Sequence, residues 1–377
     1  MIEDEKDFFG VLYPFIRDDR ITEIDYNGRM LWLTDCDNRR WREPLEITPA
    51  FLEQFSQRVS NTVSRPFNKQ SPVLEAETKT LRITIVHESV ALSGRCVCIR
   101  KSLPYVRLNE KKMLREKFCT PEILELLKQC VKERKNIVFC GQPGVGKTEC
   151  AKFFSGFISP KERVITIEDT PEWHFKELHP QNDAVELRIN DQMDYTGAIR
   201  TCLRLNPSWI MLSETRSSEV VYLIEGFSTG VRGITTLHTD DVRKIPDRML
   251  NMAGNRRDAR RFENDIYSFL DVGVLLSCRE VREPDGTVAI RRYIDQICFF
   301  SREDGINYLD LVADEGILSA ERLKEARRRN RREEKRKTGI ERPVIKRRAS
   351  GKEAAKRGWR QGDDSRKNSA NTGMYLI

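Results

Sequence analysis

KNIVFCGQPGVGKTECAKFF, residues Lys135 to Phe154, passes from a short apolar run through a glycine-rich turn into a helix-like segment. Its middle, Gly141 to Thr148, has the spacing G-x-x-x-x-G-K-[ST]. Along Gly141, Gln142, Pro143, Gly144, Val145 and Gly146 the glycines let backbone N–H groups turn inward around a β-phosphate, aided by the positive end of the following helix. Lys147 can reach the β- and γ-phosphates, the Thr148 hydroxyl can ligate Mg²⁺, and Glu149 follows as a further candidate binding residue. A glycine-rich turn for its own sake does not require Gly-Lys-Thr at a helix start, so the stretch predicts nucleotide binding.

The surrounding chain sets that loop in a recognisable context. From Cys119, helical patterns alternate with short apolar runs. TPEILELLKQCVKERK has Thr120 as cap and Pro121 behind it, and KNIVFC, RVITIED, SWIMLSE and RGITTLHT follow. Continuous apolar runs suit strands buried on both faces. DYTGAIRTCLRLN and SSEVVYLIEGFST supply helices between them, and DVGVLLSC, AIRRYIDQICFF and NYLDLV add strands. This order predicts an α/β fold with a doubly wound, largely parallel sheet and a site at the carboxyl ends of its strands.

Residues 1–103 read as a separate, smaller α/β domain. A helix-like segment from Phe8 to Arg17 precedes ITEIDYNG, whose Asn27-Gly28 signals a hairpin before MLWLT. Thr48 and Pro49 open a helix, and TLRITIVHE and RCVCIRK alternate like paired strands around Gly94. Residues 104–118 are charged without steady periodicity and read as a linker; 119–312 form the phosphate-loop domain; 313–377 read as a basic, mobile tail. From Glu321 to Lys367 there are 20 Lys/Arg against 8 Asp/Glu. The tail thus accounts for more than the whole net charge of +8, leaving the body mildly acidic. Polyanion binding therefore concerns the tail alone. The acidic N-terminus lacks a signal-peptide pattern and no apolar run reaches about 18 residues, which predicts a cytoplasmic protein. Ten cysteines without C-x-x-C spacing suggest reduced thiols and no zinc knuckle.

Acidic groups near a γ-phosphate and Mg²⁺ can orient or deprotonate water, and a histidine can polarise the phosphate. VITIEDTPEW carries Glu168, Asp169 and Glu172, SWIMLSE ends in Glu214, and TTLHT brings His238. Each alone is an ordinary loop residue. Their order after a phosphate loop is what points to hydrolysis.

With VITIEDTPEW, LRLNPSWIMLSETR and STGVRGITTLHT in sequence, the chain resembles the type II/type IV secretion ATPases, which include pilus-assembly, tight-adherence and conjugation motors. The likeness spans about residues 20–312 and is densest over 136–250. It implies a RecA-like P-loop NTPase domain, a smaller PAS-like N-terminal domain, and ATP with Mg²⁺. It also implies a homo-oligomeric ring, a hexamer, on the cytoplasmic face of a membrane apparatus, acting through an inner-membrane platform protein. By the same resemblance Glu214 positions Mg²⁺-bound or attacking water, and Glu172 is the base. Glu168 and Asp169 support them, and His238 stands on the phosphate side. Arg204 and Arg216 tie strand ends together, and Arg82 in TLRITI and Arg100 in CIRKS reach the γ-phosphate. The family commonly has glycine before its Walker B glutamate, so Ser213 exchanges one small residue for another.

The chain departs from that pattern in RSSE at 216–219, in Val231 where a histidine is common, in TLHTDD after the histidine, and in EAETKT before Arg82. The four-cysteine zinc insert of the type II secretion motors is absent, which favours the pilus, conjugation or tight-adherence branch. Two other classes stay open at this level. One is a nucleic-acid-translocating motor, suggested by the basic tail but lacking an aromatic stacking platform. The other is an ATP-binding scaffold with little turnover.

Overall fold

The computed structural model describes residues 6–254, 258–282 and 288–337. Its first sheet is antiparallel with six strands: β1 (Ile21–Tyr26), β2 (Leu31–Asp35), β3 (Arg40–Glu43), β4 (Val73–Glu77), β5 (Leu81–Val86) and β6 (Cys96–Lys101), in the order β3-β2-β1-β6-β5-β4. Short helices α1 (Lys6–Phe9) and α2 (Tyr13–Arg17) and the longer α3 (Pro49–Val63) close its core. Thr48 Oγ1 accepts the Phe51 N–H at 3.2 Å to cap α3, whose Leu52, Phe55 and Val59 pack with Phe9, Ile24, Leu33 and Ile99.

The second sheet has nine strands in the order β15-β14-β13-β12-β7-β11-β10-β8-β9. Its parallel part comprises β7 (Ile137–Cys140), β8 (Val164–Glu168), β9 (Ala184–Arg188), β10 (Trp209–Leu212), β11 (Arg232–Leu237) and β12 (Val272–Arg282). An antiparallel extension adds β13 (Val288–Glu303), β14 (Ile306–Asp314) and β15 (Ile317–Leu318). β7, β8 and β10 are buried at every residue. Ile137 and Phe139 of β7 join one core, while Val138 and Cys140 join the other. Helices therefore cover both faces: α4 (Glu110–Arg115), α5 (Pro121–Lys132), α6 (Lys147–Ser155), α7 (Phe175–Leu178), α8 (Tyr195–Cys202), α9 (Glu219–Ser228), α10 (Ile245–Ala253), α11 (Ala259–Phe269) and α12 (Ala320–Lys337). None of the described helices is long and apolar enough to cross a membrane.

Two expectations change. The segment read as a plain linker contains α4, capped by Asn109 accepting the Lys112 N–H at 2.9 Å. It sinks Met113 and Phe118 into the second domain's core. Only Met113 of this six-residue helix is buried, beside exposed Leu114, which leaves no periodicity to read. The boundary expected at residue 312 falls inside β14, and the start of the supposed mobile tail is ordered. In α12, Leu323 and buried Ala326 pack on the core, and Arg329 donates to the Asp310 carboxylate at 2.9 and 3.1 Å. The rest of the tail reading, from residue 338, lies outside the described residues.

Candidate active site

The buried strand β7 delivers the chain into the phosphate loop at Gly141. A Cβ built there would lie 2.4 Å from the Leu276 carbonyl oxygen, so β12 approaches too closely for any side chain. Gly144 and Gly146 have φ of +77° and +88°, and Gly146 leads into α6, whose Phe154 stacks on Phe139 of β7. Lys147 Nζ donates to the carbonyls of Gly141 and Gln142, both at 3.1 Å, and lies 3.2 Å from His238 Nδ1. Burial lowers the Lys147 pKa.

The acidic strand ends converge on this lysine. His238, after β11, meets Glu214 Oε1 through Nε2 at 2.9 Å. An ammonium cannot accept, so Nδ1 accepts from Lys147 and Nε2–H donates to Glu214, which describes a neutral imidazole. Burial and the neighbouring Lys147 charge both lower the His238 pKa, in agreement. Arg216 holds the other Glu214 oxygen at 2.7 Å and reaches Asp169 Oδ2 at 3.3 Å. Ser213 is buried, its carbonyl taking the Thr236 hydroxyl at 2.7 Å, and its side chain lies beside the Tyr195 phenol. An aspartate in its place would be a buried charge.

Glu172 Oε2 accepts the Thr148 hydroxyl at 2.9 Å, and crowding by protein raises the pKa of its carboxyl. Glu168 is differently employed. Its Oε1 accepts the N–H groups of Glu172 and Trp173, both at 2.9 Å, and burial pushes its pKa up to about 8. It shapes the turn that presents Glu172. Glu149 accepts the backbone N–H of Arg107 and lies 3.9 Å from Lys152 Nζ, so it fastens the linker to α6.

Across from the loop stands the first sheet. Its register places Glu77, Arg82, Arg100 and Glu23 in one row over β4, β5, β6 and β1. Arg100 Nε pairs with Glu23 at 3.2 Å. Arg82 Nη1 donates to Thr170 Oγ1 at 3.2 Å, just past β8, and lies 3.9 Å from Glu77. Glu77 also accepts from the Thr170 hydroxyl and from Arg188. Both arginines, with Gly144, Gly146, Lys147, Thr148 and Glu172, line a cavity of about 610 Å³ between the two sheets.

Arg204 does not belong here. It follows α8, which runs back across the sheet, and it lies exposed before β10, at the amino end of that strand. The four residues of β10 put it about 13 Å or more from the strand's carboxyl end. Other residues of the cavity escaped sequence reading: Asn38, Ser102, Arg107, Lys152, Thr170 and Arg292. Asn38, Arg107 and Arg292 carry no motif, while Ser102, Lys152 and Thr170 sit within motif-bearing stretches at positions that no motif singles out; only the fold brings them to the loop.

A family model described as type II/IV secretion system protein matches residues 71–363. The chain belongs to that family. Among the relatives of this secretion-system protein is an uncharacterized protein of Bacillus anthracis, 30% identical over 303 residues, covering 78% of this chain and 68% of the relative. The type IV secretion system protein VirB11 of Bartonella quintana is 28% identical over 176 residues, covering 44% of this chain and 48% of its own length. Two solved structures share the fold. The ATPase DotB of Legionella pneumophila gives a TM-score of 0.54 at 16% identity, with 73% of this chain and 76% of that one covered. The pilus retraction motor PilT with bound ADP gives 0.54 at 14%, with 88% of each chain covered. The second domain is thus RecA-like, as the motif order implied.

Proposed function

We propose that this chain hydrolyses ATP with Mg²⁺ as one subunit of a ring, a hexamer, powering secretion, pilus assembly or conjugative transfer. It would work at the cytoplasmic membrane face on an inner-membrane platform protein. The observation that best supports the reading is the pair Arg82 and Arg100, flanked in register by Glu77 and Glu23, lining one cavity with the phosphate loop. Like charges directly opposite in an antiparallel pair are destabilising. The flanking carboxylates offset that cost, and a triphosphate in the cavity offers both guanidinium groups a stronger anion. Exchange between carboxylate and phosphate partners would link occupancy to the position of the first sheet, which is what a motor requires.

Lys147 and the loop N–H groups hold the phosphates. No cluster of three or more His, Cys, Asp or Glu suited to a metal exists among the described residues. The Thr148 hydroxyl beside Glu172 fits Mg²⁺, which takes one or two protein oxygens and relies on substrate phosphate for the rest. When bound, Mg²⁺ supplies charge stabilisation at the phosphoryl oxygens. Glu172, with its raised pKa, accepts the proton of the attacking water. Glu214, fixed between Arg216 and His238, orients that water, and neutral His238 keeps Lys147 aimed at the phosphates.

Phosphate release tests this. Glu214→Gln should lower the rate at least about 100-fold while MgADP still binds. Measurable binding with no release by the wild-type chain would leave a scaffold and sink the enzyme reading.

A further inference from the structure

The β2–β3 turn of the first sheet and strand β13 of the second meet at one atom, the carbonyl oxygen of Gly144. Asn38 Nδ2 donates to it at 3.2 Å and Arg292 Nε at 3.0 Å. The same guanidinium donates through Nη1 to the Cys36 carbonyl at 3.0 Å, so Arg292 bridges the turn and the phosphate loop. The turn is organised for this. Asp35 Oδ1 accepts the N–H groups of Asp37 and Arg39 at 2.8 and 2.9 Å, and Asn38 stands at φ +61°, which asparagine adopts more readily than most residues. A Cβ on Gly146 would lie 3.6 Å from Arg292 Cδ, so the arginine stem runs along the loop rather than ending at it.

A trans peptide is planar, with its C=O and the following N–H pointing in opposite directions. Two donors fixing the Gly144 carbonyl therefore fix the Val145 N–H as well. An anion cradle depends on successive N–H groups held in a common orientation, and here one of those peptides is held from outside the loop. We propose that Asn38 and Arg292 are positioning residues that pre-set the phosphate loop. Because Asn38 and Cys36 belong to the first sheet, tight nucleotide binding then requires that sheet to be docked. The inference rests on the reading of Gly141–Thr148 as a nucleotide site.

Calorimetric titration of the full chain with MgADP tests it. Asn38→Gly keeps the positive φ, removes the donor and adds no charge. Arg292→Lys keeps the charge but cannot reproduce the two-pronged bridge. Each should weaken MgADP binding about 3- to 10-fold, the loss of a hydrogen bond's worth of pre-organisation. Because both act on one carbonyl, the double variant should bind about as well as the weaker single one. Melting without nucleotide is the control; should Arg292→Lys melt early, Asn38→Gly decides alone. Unchanged affinity in the variants overturns the proposal, and so does a double variant whose losses simply multiply. A wild-type chain that binds no MgADP instead removes the nucleotide reading itself.

Discussion

At Glu168 a buried carboxyl group accepts two backbone N–H groups and keeps its proton up to about pH 8. In the unfolded chain it would ionise in the ordinary carboxylate range. The native state thus binds the extra proton between those values, and its contribution to stability is full at low pH and lost as pH rises through about 8. The wild-type melting temperature should therefore fall between about pH 5 and pH 8 more than that of Glu168→Gln, which cannot ionise. Parallel curves would refute the assignment. Glu168, Glu172, Glu214 and His238 all stood out in the sequence because each ends or closely follows an apolar run after a phosphate loop. Their division of labour did not, since burial and partners decide it. Arg204 misled for the same reason: motif order says nothing of which end of a strand a loop serves.

Helix caps and the central strands were legible because local chemistry sets them. Thr120 accepts the Ile123 N–H at 3.3 Å at the start of α5, and Pro121 follows it. Thr120→Ala should cost about 1 kcal/mol in urea unfolding, and Thr120→Ser much less. Equal stability of all three would show that the cap contributes nothing. Strands β7 and β10 announced themselves as unbroken apolar runs, and β8 and β11 as apolar runs interrupted by threonines. β3, with three exposed residues of four, and β9, partly exposed throughout, sit at sheet edges where one neighbour suffices and no apolar pattern is needed. β4 alternates cleanly in burial, but its acidic outward positions hid it in the sequence.

For the whole molecule, the C-terminal helix belongs to the body rather than to a tail. A chain ending at Lys337 should melt above one ending at Ser319 by a few degrees, about 2–4 °C per kcal/mol lost. Leu323 and Ala326 cover core, and Arg329 pairs with Asp310. Light scattering with and without ATP addresses the proposed ring: a particle several chains in mass is expected with ATP, and a monomer in both conditions would discard it. Four strands of the first sheet and seven of the second could be read from the sequence, but the cavity between the sheets could not, because cross-strand register and domain docking arise only from packing.

The bridge from Arg292 to Cys36 joins positions 256 residues apart, and its bond to Gly144 spans 148. During synthesis, the loop and α6 leave the ribosome well before β13 exists. At ordinary translation speeds that interval is on the order of ten seconds. A nascent chain thus carries its nucleotide motif through that interval without the proposed clasp. Competence on that proposal arrives late, when the strand bearing Arg292 closes over a turn made 256 residues earlier.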